Sequence, residues 1–211
     1  MCGIVGYVGP RECTDVLIDA LSKLEYRGYD SAGIAVFDGG EIKVAKSKGR
    51  LKDLVDKMNN TEKPGGHAGI GHTRWATHGE PSDVNSHPHS GKRVTIVHNG
   101  IIENYKALKD FLIASGREFQ SETDTEVVAQ LLDYYYEGNP LDTIIKTMNE
   151  LEGSFALGIV FSDFKDTVYA VRRESPLIVG VGEGESFIAS DVPAILKYTK
   201  DYYLLEHDEI A

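Results

Sequence analysis

Short blocks of apolar and polar positions succeed one another along the 211-residue chain, and the period of each block predicts an element. Residues 2–8 make a glycine-bounded apolar run, which reads as a strand. Val16, Leu17, Ala20, Leu21 and Leu24 then recur at helical spacing, with Thr14 or Asp15 as the N-cap. Residues 33–37 and 41–45 flank Asp38-Gly39-Gly40, a hairpin signal. Residues 67–73 and 93–98 read as further strands. Between those two strands lies a long polar stretch, residues 74–92, broken by Gly79, Pro81, Pro88 and Gly91; a loop of that length inside a domain is usually functional. Three helical patterns follow: residues 104–115, ending near Gly116; a helix starting near Asp124 that buries Val128, Leu131, Leu132 and Tyr135; and residues 141–151, ending at Gly153. The tail turns to strands at residues 154–161, 167–171, 177–181 and 187–189. Asp191 opens a short helix with Pro193 in its first turn. Strands, then helices, then strands predict an α+β chain of two sheets with helices packed outside them.

Composition narrows the function classes. The chain is 41% hydrophobic and 26% charged, with 22 basic and 33 acidic residues and a net charge of −11. No basic block stands out, so nucleic acid and anionic membranes are not expected partners. No apolar run approaches the roughly 20 residues that span a bilayer. The start of the chain lacks the charged and apolar regions of a secretory signal. The expected compartment is the cytoplasm, where Cys2 and Cys13 are expected to be free thiols.

Several residues carry chemistry. Cys2 follows the initiator Met, and removal of Met1 would leave a thiol and a free α-amine on one residue. The amine has an ordinary pKa of about 7.7–8.0 and the thiol about 8.5. The amine can therefore take the thiol proton and generate the nucleophilic thiolate. Taken alone, Cys2 also reads as a small buried residue on a first strand. His98-Asn99-Gly100 closes a strand, where the Asn99 side-chain N–H and the Gly100 backbone N–H can aim at one developing oxyanion. The same pair also reads as an Asn-Gly hairpin turn. Arg74, at a strand-to-loop junction, can hold a carboxylate through two N–H groups, and Trp75 can cover a ligand. Thr123 and Glu126 make a capping box, which places Asp124 at a helix start where it can receive an ammonium. His87-Pro88-His89 invites a metal reading, but no carboxylate follows at ligand spacing.

Together these segments resemble the glutaminase domains of the class II glutamine amidotransferases, which belong to the N-terminal-nucleophile hydrolases. The segments that carry the resemblance are MCGIVGY at the start, LEYRGYDSAGIAV from Leu24, GIGHTRWATHGEPS from Gly69, NSHPH from Asn85, VHNGIIENY from Val97, SETDTEVV from Ser121, LEGSFAL from Leu151 and SDVPAIL from Ser190. They occur in one order over nearly the whole chain. RGYDSAG and TRWATHGEP are closer to the members that carry a sugar-phosphate isomerase domain than to phosphoribosyl or asparagine-forming members.

The resemblance implies a four-layer αββα sandwich over residues 1–211 as one glutaminase domain, followed in the family by an isomerase domain that this chain lacks. It implies L-glutamine as substrate, no cofactor and no metal, and a homodimer for a full-length protein. By position it makes Cys2 the nucleophile with its own amine as base, and Asn99 and Gly100 the oxyanion donors. Arg74 would bind the glutamine carboxylate and Asp124 its ammonium. Thr77 and His78 would line a closing loop, and Trp75 would gate the ammonia path. Arg27 would support the Cys2 end, and His87 would stand behind the groups that touch substrate. Retention of Met1 would acylate the amine and remove the base. Alternatives are a different ammonia acceptor, a metal-dependent amidohydrolase using His72, His78, His87 and His89, a peptidase of the same superfamily, and a non-catalytic glutamine-binding module.

Overall fold

The protein is described by a computed structural model covering residues 2–76 and 79–211. The first strand, β1 (Gly3–Val8), leads into α1 (Cys13–Ser22) and a 3-10 turn (Glu25–Arg27). A hairpin, β2 (Ser31–Asp38) and β3 (Glu41–Lys48), is followed by α2 (Leu51–Asn60) and β4 (Ala68–Arg74). Next come the short β5 (His89–Ser90) and the long β6 (Val94–Ile102). Helices α3 (Tyr105–Ala114), α4 (Asp124–Tyr135) and α5 (Pro140–Glu150) form a run. The chain then returns to strands β7 (Gly153–Phe161), β8 (Tyr169–Arg173), β9 (Ile178–Val181), β10 (Ser186–Ala189) and, after a 3-10 turn (Val192–Ala194), β11 (Tyr202–Leu204).

Among the described residues the strands form two sheets, a seven-stranded one in the order β11-β9-β10-β1-β4-β2-β3 and a four-stranded one in the order β5-β6-β7-β8. All the strand pairings are antiparallel. Alternate residues of a strand point to opposite faces, and in the inner strands both faces are buried. On β2, Ile34 and Val36 pack with Val16, Leu17, Leu21, Leu54 and Met58 of α1 and α2. Their neighbours Ala35 and Phe37 instead join Ile4, Ile70, Val97, Val160 and Ile188 between the sheets. On β7, Phe155, Leu157, Ile159 and Phe161 meet α3, α4 and α5, while Ala156 and Val160 face the inter-sheet layer. Three apolar layers separate four structural ones, giving the expected αββα sandwich.

The structure departs from the sequence reading in several places. Helix α1 begins at Cys13 with Glu12 at its N-cap, because the Thr14 hydroxyl is drawn to the Pro64 carbonyl instead of to a helix amide. The 93–98 strand runs on to Ile102, so Asn99 and Gly100 lie inside β6, opposite Ala156 and Phe155, rather than in a turn. The capping box at α4 is half made. Thr123 Oγ1 accepts the Glu126 N–H at 3.2 Å, but the Glu126 carboxylate takes the Gln120 and Ser121 N–H groups instead of that of Thr123. At the end of α4 it is the next residue, Tyr136, that is buried, with Tyr135 packed only partly against the core. Helix α2 was not expected. Its buried face consists of Leu51, Leu54 and Met58 alone, set among charged residues. Among the described residues no helix is long and apolar enough to cross a membrane.

Candidate active site

Strands β1, β4 and β6 converge on one cavity of about 330 Å³. Cys2 precedes β1 by one residue, and the β1–β4 pairing sets Gly3 beside Thr73, which brings Cys2 to the end of β4. There its Sγ lies 3.2 Å from the Trp75 N and 3.3 Å from the Trp75 O. Asn99 reaches the same point from the other sheet, its Nδ2 donating to the Cys2 carbonyl at 3.2 Å. The other end of that amide, Oδ1, is 3.0 Å from His72 Nε2. Gly100 follows with φ of +118°, and a Cβ there would stand 2.0 Å from the Ser154 carbonyl, so only glycine keeps β6 continuous through this corner.

Arg74 ends β4 with its side chain only 4% exposed. One guanidinium nitrogen donates to the Gly79 carbonyl at 2.9 Å and another stands 3.7 Å from Asp30 Oδ1. The second oxygen of Asp30 accepts the Ala76 N–H, so this carboxylate ties Arg74 to the start of the following loop. Asp124 opens α4, where a carboxylate faces the positive end of the helix. Its Oδ2 accepts the Ile102 N–H at 2.9 Å, and its Oδ1 lies 4.0 Å from His98 Nδ1. Arg27 Nη1 donates to Asp191 at 3.0 Å and to the Ser190 carbonyl at 3.4 Å, fixing the wall beside Cys2. Trp75 is 53% exposed at the mouth, and its ring lies against Gly28.

Burial raises the Cys2 thiol pKa, opposed by the Trp75 N–H bond. The Asp30 charge raises it further and the Arg74 charge lowers it. The thiol is thus held protonated at neutral pH and needs a base in immediate reach to become a nucleophile. Cys13 is also a free thiol, but fully buried, and its pKa is pushed far up by desolvation. Behind the cavity four imidazoles pack together. The His87 ring centroid is 4.1 Å from that of His72, 5.1 Å from His89 and 6.5 Å from His98. Desolvation lowers the His72 pKa to about 3 and holds His87 and His89 well below the ordinary value. The described nitrogen contacts of this cluster go to protein groups: His72 to Asn99, His98 Nδ1 to Thr125 Oγ1 at 2.9 Å, and His89 Nε2 to Thr123 Oγ1 at 3.1 Å. Among the described residues no group of three or more His, Cys, Asp and Glu is placed to hold a metal ion.

Of the residues singled out in the sequence, Cys2, Arg27, Arg74, Trp75, His87, Asn99, Gly100 and Asp124 all line this cavity. Thr77 and His78 lie outside the described residues. The sequence reading missed Ile101, Thr125, Ser175 and Pro176, which also line it, and Asp30, which braces it. Ser175 and Pro176 come from the turn after β8, more than 170 positions from Cys2. No local spacing announces them, and only the sheet order brings them in.

A family model described as glutamine amidotransferase domain matches residues 72–197. The glutamine–fructose-6-phosphate aminotransferase (isomerizing) of Clostridium acetobutylicum is 59% identical over 99% of this chain and 34% of that protein. The enzyme of the same name from Pyrococcus horikoshii is 49% identical over 99% of this chain and 36% of its own length. This chain therefore spans about a third of the curated relatives it matches. Among solved structures, the glutamine phosphoribosylpyrophosphate amidotransferase of B. subtilis, complexed with ADP and GMP, superimposes with a TM-score of 0.84 at 28% identity, over 99% of this chain and 46% of that one.

Proposed function

Because this chain belongs to the glutamine amidotransferase domain family, we propose that it hydrolyses the side-chain amide of L-glutamine through a thioester on Cys2. One observation carries the mechanism. The Asn99 amide nitrogen lies 3.2 Å from the Cys2 carbonyl, inside a cavity that also presents Arg74 and Asp124. On this reading the nucleophile, an oxyanion donor and two oppositely charged anchors for a free amino acid line a single cavity.

The steps follow from that placement. With Met1 removed, the Cys2 α-amine takes the thiol proton that burial otherwise retains. The thiolate attacks the glutamine amide carbon, and the resulting oxyanion is stabilised by the Asn99 Nδ2–H and the Gly100 N–H. The protonated amine passes its proton to the leaving nitrogen, the C–N bond breaks and ammonia departs. The amine then deprotonates a water, which attacks the thioester carbonyl; glutamate leaves and the thiol is restored. The Arg74 guanidinium pairs with the α-carboxylate and the Asp124 carboxylate with the α-ammonium. A glutamine inside a peptide lacks both charges and is rejected. Trp75 covers the bound substrate and directs the ammonia, Arg27 steadies the Cys2 end, and His87 packs behind it. No step uses a metal or an organic cofactor.

The relatives at 59% and 49% identity are roughly three times longer. We extend the proposal to the whole protein: a sugar-phosphate isomerase domain would use this ammonia to turn fructose 6-phosphate into glucosamine 6-phosphate, in a cytoplasmic homodimer. The test is N-terminal mass determination coupled to ammonia release from free glutamine. Protein trimmed of Met1 releases ammonia, and Cys2→Ala abolishes release while the fold persists. Trimmed protein that binds glutamine and releases nothing would return the chain to a binding module.

A further inference from the structure

The oxyanion donor is a side-chain amide, and an amide has two faces of opposite sign. Asn99 helps only if its NH₂, not its carbonyl, faces the reacting carbon. Rotation of the group by half a turn would put an acceptor against a developing negative charge. Something must therefore fix the rotation, and the structure shows a contact at each end of the amide, the Cys2 carbonyl at one and the His72 side chain at the other. The Asn99 atom facing Cys2 meets a carbonyl oxygen, which only accepts, so that atom must be the donor NH₂. The other end of the amide, its oxygen, then faces His72 Nε2 at 3.0 Å, and this ring nitrogen must carry the hydrogen.

We propose that His72 is the positioning residue of the oxyanion hole: its Nε2–H, donated to Asn99 Oδ1, locks the amide with its NH₂ toward the substrate. His72 lies on β4 and Asn99 on β6, so the bond crosses between the two sheets. The imidazole is fully buried and its face is covered by His87, with ring centroids 4.1 Å apart. A ring packed this way cannot turn its donor elsewhere without disturbing that stack. Burial also holds the ring neutral at working pH, its pKa lowered to about 3. It therefore stays a single-donor imidazole and adds no positive charge beside Cys2. His72 touches neither substrate nor thiol in this reading and acts only through Asn99.

The inference rests on Asn99 serving as the oxyanion donor, and the experiment separates the two claims. Kinetics of glutamine hydrolysis are compared for His72→Leu, His72→Gln, Asn99→Ala and the double variant His72→Leu with Asn99→Ala, in protein trimmed of Met1. A glutamine side chain can place an amide N–H close to the imidazole Nε2 position, whereas leucine fills the space without a donor. The expected result is that His72→Leu lowers kcat by about 10- to 100-fold with little change in KM, a substantial part of what a lost oxyanion donor costs. His72→Gln recovers most of that loss. On the Asn99→Ala background, His72→Leu costs nothing further, because residues acting as one unit are not additive. Equal losses on both backgrounds, or no rescue by glutamine, would assign His72 a packing role and overturn the proposal. If Asn99→Ala alone leaves kcat unchanged, the oxyanion assignment itself fails. Should the leucine variant not fold, histidine-labelled ¹⁵N spectra of the wild-type protein decide. His72 protonated on Nε2 at neutral pH supports the proposal, and His72 protonated only on Nδ1 overturns it.

Discussion

Two cysteines with the same functional group are given opposite fates by their surroundings. Cys2 is half-buried and lines the cavity, with its Sγ against the Trp75 backbone, whereas Cys13 is sealed in the core at the start of α1. An electrophilic glutamine analogue is expected to label Cys2 and leave Cys13 untouched, as peptide mapping by mass spectrometry would show. Desolvation raises both thiols, so the thiolate fraction at Cys2 grows as pH increases through the alkaline side. Its alkylation by a small neutral reagent, in protein that keeps Met1, should therefore accelerate with pH and show a midpoint above that of a free cysteine. A midpoint below the free value would mean that the Trp75 N–H and Arg74 outweigh burial, and that the thiol needs no base. Asn99→Ala tests the other half of the chemistry. Its kcat is expected to fall by about 100- to 1,000-fold with a modest change in KM, since an oxyanion donor acts mainly in the transition state.

On α4 one carboxylate makes a bond within the fold and, in the proposed function, also receives the substrate ammonium. Asp124 Oδ2 accepts the Ile102 N–H, joining the start of α4 to the end of β6, and the side chain also faces the cavity. The two duties can be separated by substitution. Asp124→Asn keeps a carbonyl oxygen for the Ile102 N–H but removes the charge. It should raise KM for glutamine by about 10- to 100-fold, the usual worth of a hydrogen bond to a charged group, with little change in thermal stability. Asp124→Ala strands a buried N–H as well and should lose about 1–3 kcal/mol of stability on top of the binding defect. Equal KM values for wild type and Asp124→Asn would remove Asp124 from substrate binding. The legibility of these elements follows their physics. Helices α1 and α4 could be read because each needs a wide apolar face to cover a sheet, whereas α2 covers only a sheet margin with Leu51, Leu54 and Met58 and leaves almost no pattern. Asn99 and Gly100 could be picked out as candidate oxyanion donors but not placed, since Asn-Gly ordinarily makes a turn. What keeps them in β6 is the approach of the Ser154 backbone, a contact between distant segments. Ser175 and Pro176 reach the cavity through sheet topology alone, which no local window contains.

Across the whole molecule, the space between the two sheets changes character from one end to the other. Over most of its extent it is filled by Ile4, Phe37, Ile70, Val97, Val160 and Ile188. Toward the cavity, His72 on β4 takes the place of an apolar side chain, and further imidazoles gather behind it: His87 from the loop packs on His72, while His98 of β6 and His89 of β5 reach Thr125 and Thr123 at the start of α4. This polar end allows the two sheets to present donors and charges at a common edge, and it makes the fold sensitive to acid. His72, His87 and His89 remain neutral in the folded protein far below the ordinary histidine value of 6.5, because burial penalises their charged forms. In the unfolded chain they take up protons near that value. Below about pH 6.5, then, the unfolded state binds more protons than the folded one, so stability rises with pH across this window and is lost as pH falls through it. Each such imidazole contributes about 1.4 kcal/mol per pH unit once the unfolded form is protonated, and for His72 this continues down to about pH 3. Carboxylates titrating below about pH 5 add their own terms, so the clean interval is between about pH 5 and 6.5. Urea unfolding across that interval is expected to show a stability that drops steeply with acidity. In the His72→Gln protein, which has one fewer imidazole to protonate, the slope should be shallower by about 0.7 kcal/mol per pH unit at pH 6.5, rising toward about 1.4 near pH 5. The comparison of slopes isolates this residue from every other titrating group. Parallel slopes would show that His72 is hydrated or charged in the native protein, and the same finding would deprive Asn99 of its fixed neutral donor.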